Sequence, residues 1–218
     1  MTLMTRDLHR DQGIAAARLA ASWLLWYPDA LLLSRLDDIA QVTGDLPNRL
    51  AAPLRSFLGY LNDTPVREVQ AHYVATFDMK RKACPYLTYW TDGDTRNRGR
   101  AILRFKQAYL EAGFDAGNVE LADHLAMVLE FAAVGDPLTG DALLAEHSVP
   151  IHLLREALAK LGSAYVHVLD AIVVTLPSIT PDIELRMAQL AASGPPAESV
   201  GLEPFGVSVT IESIGARR

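Results

Sequence analysis

Apolar residues return at intervals of three and four along most of the chain, the spacing of one helix face. Ile14, Ala17, Ala21, Leu24 and Leu25 outline a first helix. It should stop at Tyr27-Pro28, because proline disfavours the helical conformation in the residue before it. Leu32, Leu36 and Ile39 mark a second short helix closed by Gly44, and Leu50, Leu54, Phe57, Leu58 and Leu61 mark a third. Thr64-Pro65 is a start signal: the threonine hydroxyl accepts a free amide hydrogen bond, and proline at the first helical position loses nothing. Val66, Val69, Tyr73 and Phe77 then share a face. A further helix is predicted from Thr95 through Ile102, Phe105 and Tyr109 to Gly113, a left-handed terminating residue. Leu121, Leu125, Val128, Leu129 and Ala132 repeat the pattern before Gly135.

The longest predicted helix starts after Ser148 and passes Ile151, Leu154, Leu158, Leu161, Tyr165, Val168, Leu169 and Ile172. At about 1.5 Å per residue it would run about 37 Å. Another short helix is expected between Asp182 and Ala192. Strand-like alternation occurs once, at Val207, Val209 and Ile211, beyond Gly194-Pro195-Pro196, and a lone strand is marginal. The expected architecture is therefore all-α: a single-domain helical bundle over residues 1–192. Residues 193–218 are expected to form an irregular tail, flexible or ordered by contact with another chain.

Composition narrows the function. With 218 residues, half of them apolar, the chain is long enough for one sizeable core and short for two. Its net charge of −6 is opposite to what a global nucleic-acid binder carries. The single cysteine, Cys84, excludes an intrachain disulfide and four-Cys zinc modules. The longest apolar run, near Val166–Leu176, is interrupted by His167 and Asp170, and no run reaches the roughly 18–20 residues that span a bilayer. A cleavable leader is not evident at the N-terminus. The expectation is a soluble cytoplasmic protein without direct membrane insertion.

Charge is unevenly placed. Met79–Lys106 holds eight basic residues against two acidic ones, and the rest of the chain is correspondingly acidic. Within that band, Tyr86-Leu87-Thr88-Tyr89-Trp90 puts three large aromatics beside Asp92-Gly93-Asp94, where they serve either peptide recognition or as core anchors of the connection. The Asp-Gly-Asp run is no EF-hand, since Leu103 stands where the closing glutamate belongs. Asp123, His124 and Glu130 suggest a small metal-dependent hydrolase as an alternative function. Against it, neighbours on a helix point about 100° apart and no second histidine follows His124 at i+3 or i+4, so a helix-start or polar-contact role fits better. Cys84 precedes Pro85 and lacks a local histidine, although Lys80, Arg81 and Lys82 are positioned to lower its pKa. Catalytic and metal-ligating residues are therefore expected to be absent, and the acidic remainder argues against nucleic acid as a partner.

Several motifs resemble one family closely. They are Tyr73-Val74-Ala75-Thr76-Phe77-Asp78, Tyr86 to Trp90, Gly93-Asp94-Thr95-Arg96-Asn97-Arg98-Gly99-Arg100-Ala101, and Glu120-Leu121-Ala122-Asp123-His124-Leu125 with Leu129-Glu130-Phe131. Together they resemble the NarJ family of nitrate reductase molybdenum cofactor assembly chaperones, within the TorD-like group. The resemblance implies a TorD-like helical bundle without catalysis. It further implies binding of the immature nitrate reductase α-subunit through its N-terminal segment, which permits molybdenum cofactor insertion before membrane attachment. The motif positions carried over are Asp78, Leu87, Gly93, Arg96, Arg98 and Gly99, with Glu120, Leu121, Asp123, His124 and Glu130 placed on the next helix. Client contacts are expected at Tyr86, Leu87, Tyr89, Trp90, Glu120, Asp123, His124 and Glu130. Asp92, Asp94, Arg96 and Arg98 are expected to brace the loop or touch the client. No cofactor is expected to stay bound. One departure stands out: Ala122 replaces the proline of the family's Glu-Leu-Pro-Asp-His motif, which bears on how the chain enters the helix more than on binding.

Overall fold

The computed structural model describes residues 2–117 and 120–196. Among them the chain is all-α, with helices α1 (Thr2–Leu24), α2 (Ala30–Ser34), α3 (Leu36–Asp45), α4 (Asn48–Asp63), α5 (Val66–Tyr73), α6 (Leu87–Asp92), α7 (Arg96–Glu111), α8 (Leu125–Glu130), α9 (Pro137–Glu146), α10 (Ser148–Lys160), α11 (Val166–Val173) and α12 (Pro181–Ser193). Two of them widen into π-helical turns, α5 at Val74–Asp78 and α8 at Phe131–Gly135. No strand forms among the described residues; one isolated antiparallel bridge joins Tyr86 to His124. The alternating Val207–Ile211 segment, with the rest of the tail from residue 197, lies outside them.

The predicted faces become the core. All five α4 positions, Leu50, Leu54, Phe57, Leu58 and Leu61, are buried, as are Leu24 and Leu25 at the end of the first segment. α4 packs against α3 and α11, and α1 packs against α8, α11 and the second π turn. Tyr165 sits at the centre, its ring 4.8 Å from those of both Phe57 and Phe77. A fully buried side chain of this size contributes about 1.5–3 kcal/mol through apolar burial alone.

Four predicted boundaries move. The long helix after Ser148 is two helices, because Gly162 adopts φ +62° after α10. Gly162 N–H donates to the Ala159 carbonyl and Ser163 N–H to the Leu158 carbonyl, the paired bonds of a left-handed helix stop. Gly113 ends α7 in the same conformation, as its position predicted. The second predicted helix is split at Arg35 into α2 and α3. α5 starts one residue later than expected, with Pro65 rather than Thr64 as its cap and with Val66 exposed. Residues 120–123 precede α8 instead of lying on it, so Ala122 occupies a turn outside the helix, where its carbonyl accepts from the Tyr109 hydroxyl at 2.7 Å.

Two helices carry no clear apolar rhythm and were not predicted. α9 is announced by Asp136-Pro137: the aspartate caps Leu138 and Thr139 N–H groups, and the proline takes the first turn. α6 is only six residues long and all of Leu87, Thr88, Tyr89 and Trp90 are buried, so it shows no polar face to read. The C-terminal α12 has no buried residue. It lays Ile183, Met187 and Leu190 on a small separate cluster of Trp90, Val149 and Leu153.

Candidate functional site

A cavity of about 710 Å³ opens where the end of α1, the first π turn, the approach to α6 and the start of α8 converge. Trp23, Trp26 and Tyr27 come from the end of α1 and the turn after it, Tyr73 and Phe77 from α5 and its π turn, Tyr86 from the chain before α6. Its charged lining is entirely acidic: Asp29, Asp78, Asp115, Glu120 and Glu130, with no lysine or arginine. A second cavity of about 680 Å³ adjoins it across the 114–117 loop and shares Glu120.

His124 forms the wall. It is the N-cap of α8, and its Nδ1 accepts from Ala126 N–H at 3.2 Å, which leaves the proton of the neutral ring on Nε2. Its ring stacks on Trp26 at 5.3 Å and meets Tyr86 edge-on at 5.2 Å. Burial pushes its pKa down to about 4, against a smaller upward pull from Glu120, so the ring is neutral at pH 7. The Tyr86 hydroxyl donates to Glu120 Oε1 at 2.9 Å, and burial with that bond raises the Tyr86 pKa. Burial also raises the Glu130 carboxyl above its usual range. The geometry offers flat aromatic surfaces at depth and carboxylates at the edge, a pattern suited to a segment carrying both apolar and cationic side chains.

Asp123 lies behind this wall, fully buried. Its Oδ2 accepts from Thr88 N–H at 3.2 Å and from the Thr88 hydroxyl at 2.5 Å, while its carbonyl accepts from Leu87 N–H at 3.0 Å. A residue distant in sequence thus caps α6, satisfying amides that a helix start leaves free. Leu125 N–H returns a bond to the Pro85 carbonyl at 2.9 Å. The Tyr86 and His124 segments are therefore tied together, and both aromatic rings are held over one cavity.

The eight residues expected at the client surface separate into two groups. Tyr86, Glu120 and Glu130 line the cavity with part of their surface exposed, and His124 lines it from a buried position. Leu87, Tyr89, Trp90 and Asp123 are buried. The indole N–H of Trp90 donates to the Cys84 carbonyl at 3.0 Å, and α12 covers its ring. Of the four residues expected to brace the loop, Arg98 on α7 pairs with Asp94 at 3.5 Å, and its guanidinium lies 5.5 Å from the Tyr86 ring centre and 5.8 Å from that of Tyr89. Asp92 accepts from the Thr91 hydroxyl at 2.7 Å, and Arg96 opens α7 from an exposed position. The basic band is partly neutralised elsewhere too, since Arg104 makes a two-pronged pair with Glu146 at 3.0 Å.

The hydrolase alternative finds no site. Asp123 and His124 precede α8, with Asp123 Oδ2 engaged by Thr88 and His124 Nδ1 by Ala126, and no metal-holding group of three or more His, Cys, Asp or Glu side chains forms among the described residues. Cys84 is not activated by its cationic neighbours in sequence. Burial dominates and pushes the thiol up to about 11, with the Tyr86 backbone N–H and then Arg98 giving only a partial downward pull. Trp23, Trp26, Tyr27, Asp29 and Asp115 were missed, and Asp78 entered only through the motif resemblance. The run of aromatics ahead of Pro28-Asp29, at the end of a helix, was the available signal.

A family model described as the nitrate reductase delta subunit matches residues 43–170. The nitrate reductase-like protein NarX of Mycobacterium tuberculosis (strain H37Rv) is 40% identical over 156 residues, covering 70% of this chain and 23% of that much longer protein. The Bacillus subtilis (strain 168) protein named "Probable nitrate reductase molybdenum cofactor assembly chaperone NarJ" is 30% identical over 161 residues, 73% of this chain and 88% of that one. The NarJ chaperone of Escherichia coli (strain K12) is 32% identical over 115 residues, 51% of this chain and 49% of that protein. A solved structure from Archaeoglobus fulgidus, described as a redox enzyme maturation protein, shares the fold with a TM-score of 0.54 at 19% identity, covering 73% of this chain and 91% of that chain. No described helix is long and apolar enough to cross a membrane.

Proposed function

Because the chain belongs to the nitrate reductase delta subunit family, we propose that it is an assembly chaperone for the catalytic α-subunit of a nitrate reductase. It holds the immature subunit through its N-terminal segment, so that the molybdenum cofactor enters before membrane attachment, and it performs no covalent chemistry. The cofactor is cargo for the client. The chaperone works in the cytoplasm by binding the unfinished form more tightly than the finished one.

The observation that carries this reading is the cavity beside His124, aromatic at depth and lined by five carboxylates without a cation. Tyr86 and Trp26, backed by the buried His124, offer area to apolar side chains, and Glu120, Glu130, Asp29, Asp78 and Asp115 meet basic ones. Exposed charge pairs contribute only about 0–1 kcal/mol each, so apolar contact dominates affinity while charge selects the partner. Asp123 and Arg98 act from behind, by holding α6 and Tyr86 in place.

Titration calorimetry with a peptide of the α-subunit N-terminus tests the proposal. Binding should be measurable, and Glu120→Gln with Glu130→Gln should weaken it about tenfold. Absence of heat with both that peptide and the cofactor-free subunit removes the reading.

A further inference from the structure

The last described residues of the C-terminal arm lie beside α6, whose other end borders the same cavity. α12 rests on the Trp90 cluster through Ile183, Met187 and Leu190 and contributes no buried residue. Beyond it the chain crosses Gly93 closely: a Cβ on Gly93, whose φ is +60°, would overlap the Pro196 carbonyl. Gly93 ends α6, and Tyr86, on the cavity, stands at the other end of that six-residue helix. At 1.5 Å per residue, those two residues are only about 10 Å apart. The 22 residues after Pro196 reach up to roughly 70 Å when extended, so distance is no obstacle.

Their chemistry also matches. Ile211-Glu212-Ser213-Ile214-Gly215-Ala216-Arg217-Arg218 carries two branched apolar residues and two arginines against one acid. The cavity presents aromatic rings and five carboxylates with no lysine or arginine in its lining, the nearby Arg98 being paired with Asp94 behind Tyr86. The family-model match ends at residue 170, so this arm lies outside the matched stretch.

We propose that Ile211–Arg218 is an internal occupant of the groove, with Ile211 and Ile214 on the aromatic surfaces and Arg217 and Arg218 among the carboxylates. The client segment displaces it. This regulation rests on the groove being the client surface. A tether makes the competition intramolecular, at an effective concentration near millimolar, so even a weak contact is populated. A segment seated about nine-tenths of the time lowers apparent client affinity about tenfold.

The test uses the full chain with p-benzoylphenylalanine in place of Ile214. Irradiation should give a monomeric cross-linked product mapped to groove residues such as Met127 or Tyr86. Products mapped elsewhere, found only between two copies, or not formed overturn the proposal. In parallel, R217E/R218E in the full chain should bind a basic amphipathic Lys/Leu peptide about tenfold more tightly than the unaltered chain, and equal affinity overturns the proposal. If the peptide binds neither form while the cross-link still maps to the groove, the client reading fails and the internal seat stands.

Discussion

The two ends of α6 put neighbouring aromatics to opposite uses. At its start, Tyr86 faces the cavity, with its hydroxyl on Glu120 and its ring against His124. At its end, Trp90 is covered by α12 and bonded to the Cys84 carbonyl. Tyr86 stays half-exposed because the segments around it are held by backbone pairs to 123–125 and by Asp123, with Arg98 and His124 bracing its ring. Trp90 has a large apolar ring and no comparable polar framework, so it is stable only beneath a cover. The lesson is that an open binding surface requires support from behind, whereas an apolar anchor requires a lid.

The largest effect should come from removing the anchor. Trp90→Ala should lower unfolding free energy by about 3–5 kcal/mol in a urea titration, with Trp90→Phe intermediate. If both ends are independent, the folded Trp90→Phe protein binds the client peptide within about twofold of the unaltered chain. A much larger loss would erase the distinction.

Next comes the support of the open end. Asp123→Ala strips Thr88 of its partner while leaving its buried amide in place. That should cost about 2–3 kcal/mol by the same measurement and weaken peptide binding as well, since Tyr86 loses its backing. A stability loss with unchanged binding would show that Tyr86 is positioned without α6.

A smaller effect separates the ends by pH. His124 is held neutral by burial with its pKa at about 4, while an unfolded histidine titrates near 6.5. Between those values the unfolded chain binds the additional proton. His124 therefore supports the fold fully above about pH 6.5 and progressively less as pH falls toward 4. His72 and His152 are shifted in the same direction, by burial. From pH 7 to 5 the His124 share should be on the order of 1–2 kcal/mol, and His124→Asn should flatten the pH slope of stability by that amount. An unchanged slope would mean that His124 is solvated.

The smallest effect is expected at the lid. Met187 is only partly buried. Met187→Ala should cost less than about 1 kcal/mol globally, yet speed proteolysis between α11 and α12, because a lightly docked helix opens locally. Equal cleavage rates would make α12 an integral part of the core.

Helix faces were legible wherever one side of a helix is dry and the other wet. Leu50 through Leu61 is the clear case, because burial on a single face imposes its period on the sequence. α6 was not legible for the opposite reason: Leu87 to Trp90 is enclosed on every side, so polarity carries no phase. The break at Gly162 is masked in the sequence, since Leu161 and Tyr165 continue the apolar rhythm across it. Of the two roles the sequence left open for His124, helix start or polar contact, α8 shows the helix start, whereas the motif resemblance puts Glu120 to His124 on the helix, because short-range spacing does not distinguish a capped turn from a first turn.

What the sequence determined alone was the all-helical class, the concentration of aromatic and charged residues between 73 and 131, and the family resemblance, because each depends on residues close together along the chain. What only the tertiary structure decided was which of those residues share a surface. Trp26 reaches His124 from about a hundred residues away and Asp29 joins the same cavity, and Trp90 turns inward although Tyr86, four positions earlier, does not. Local periodicity records which side of a helix is buried. It does not record what lies on the other side of the contact, and that partner determines whether an aromatic ring is an anchor or a site.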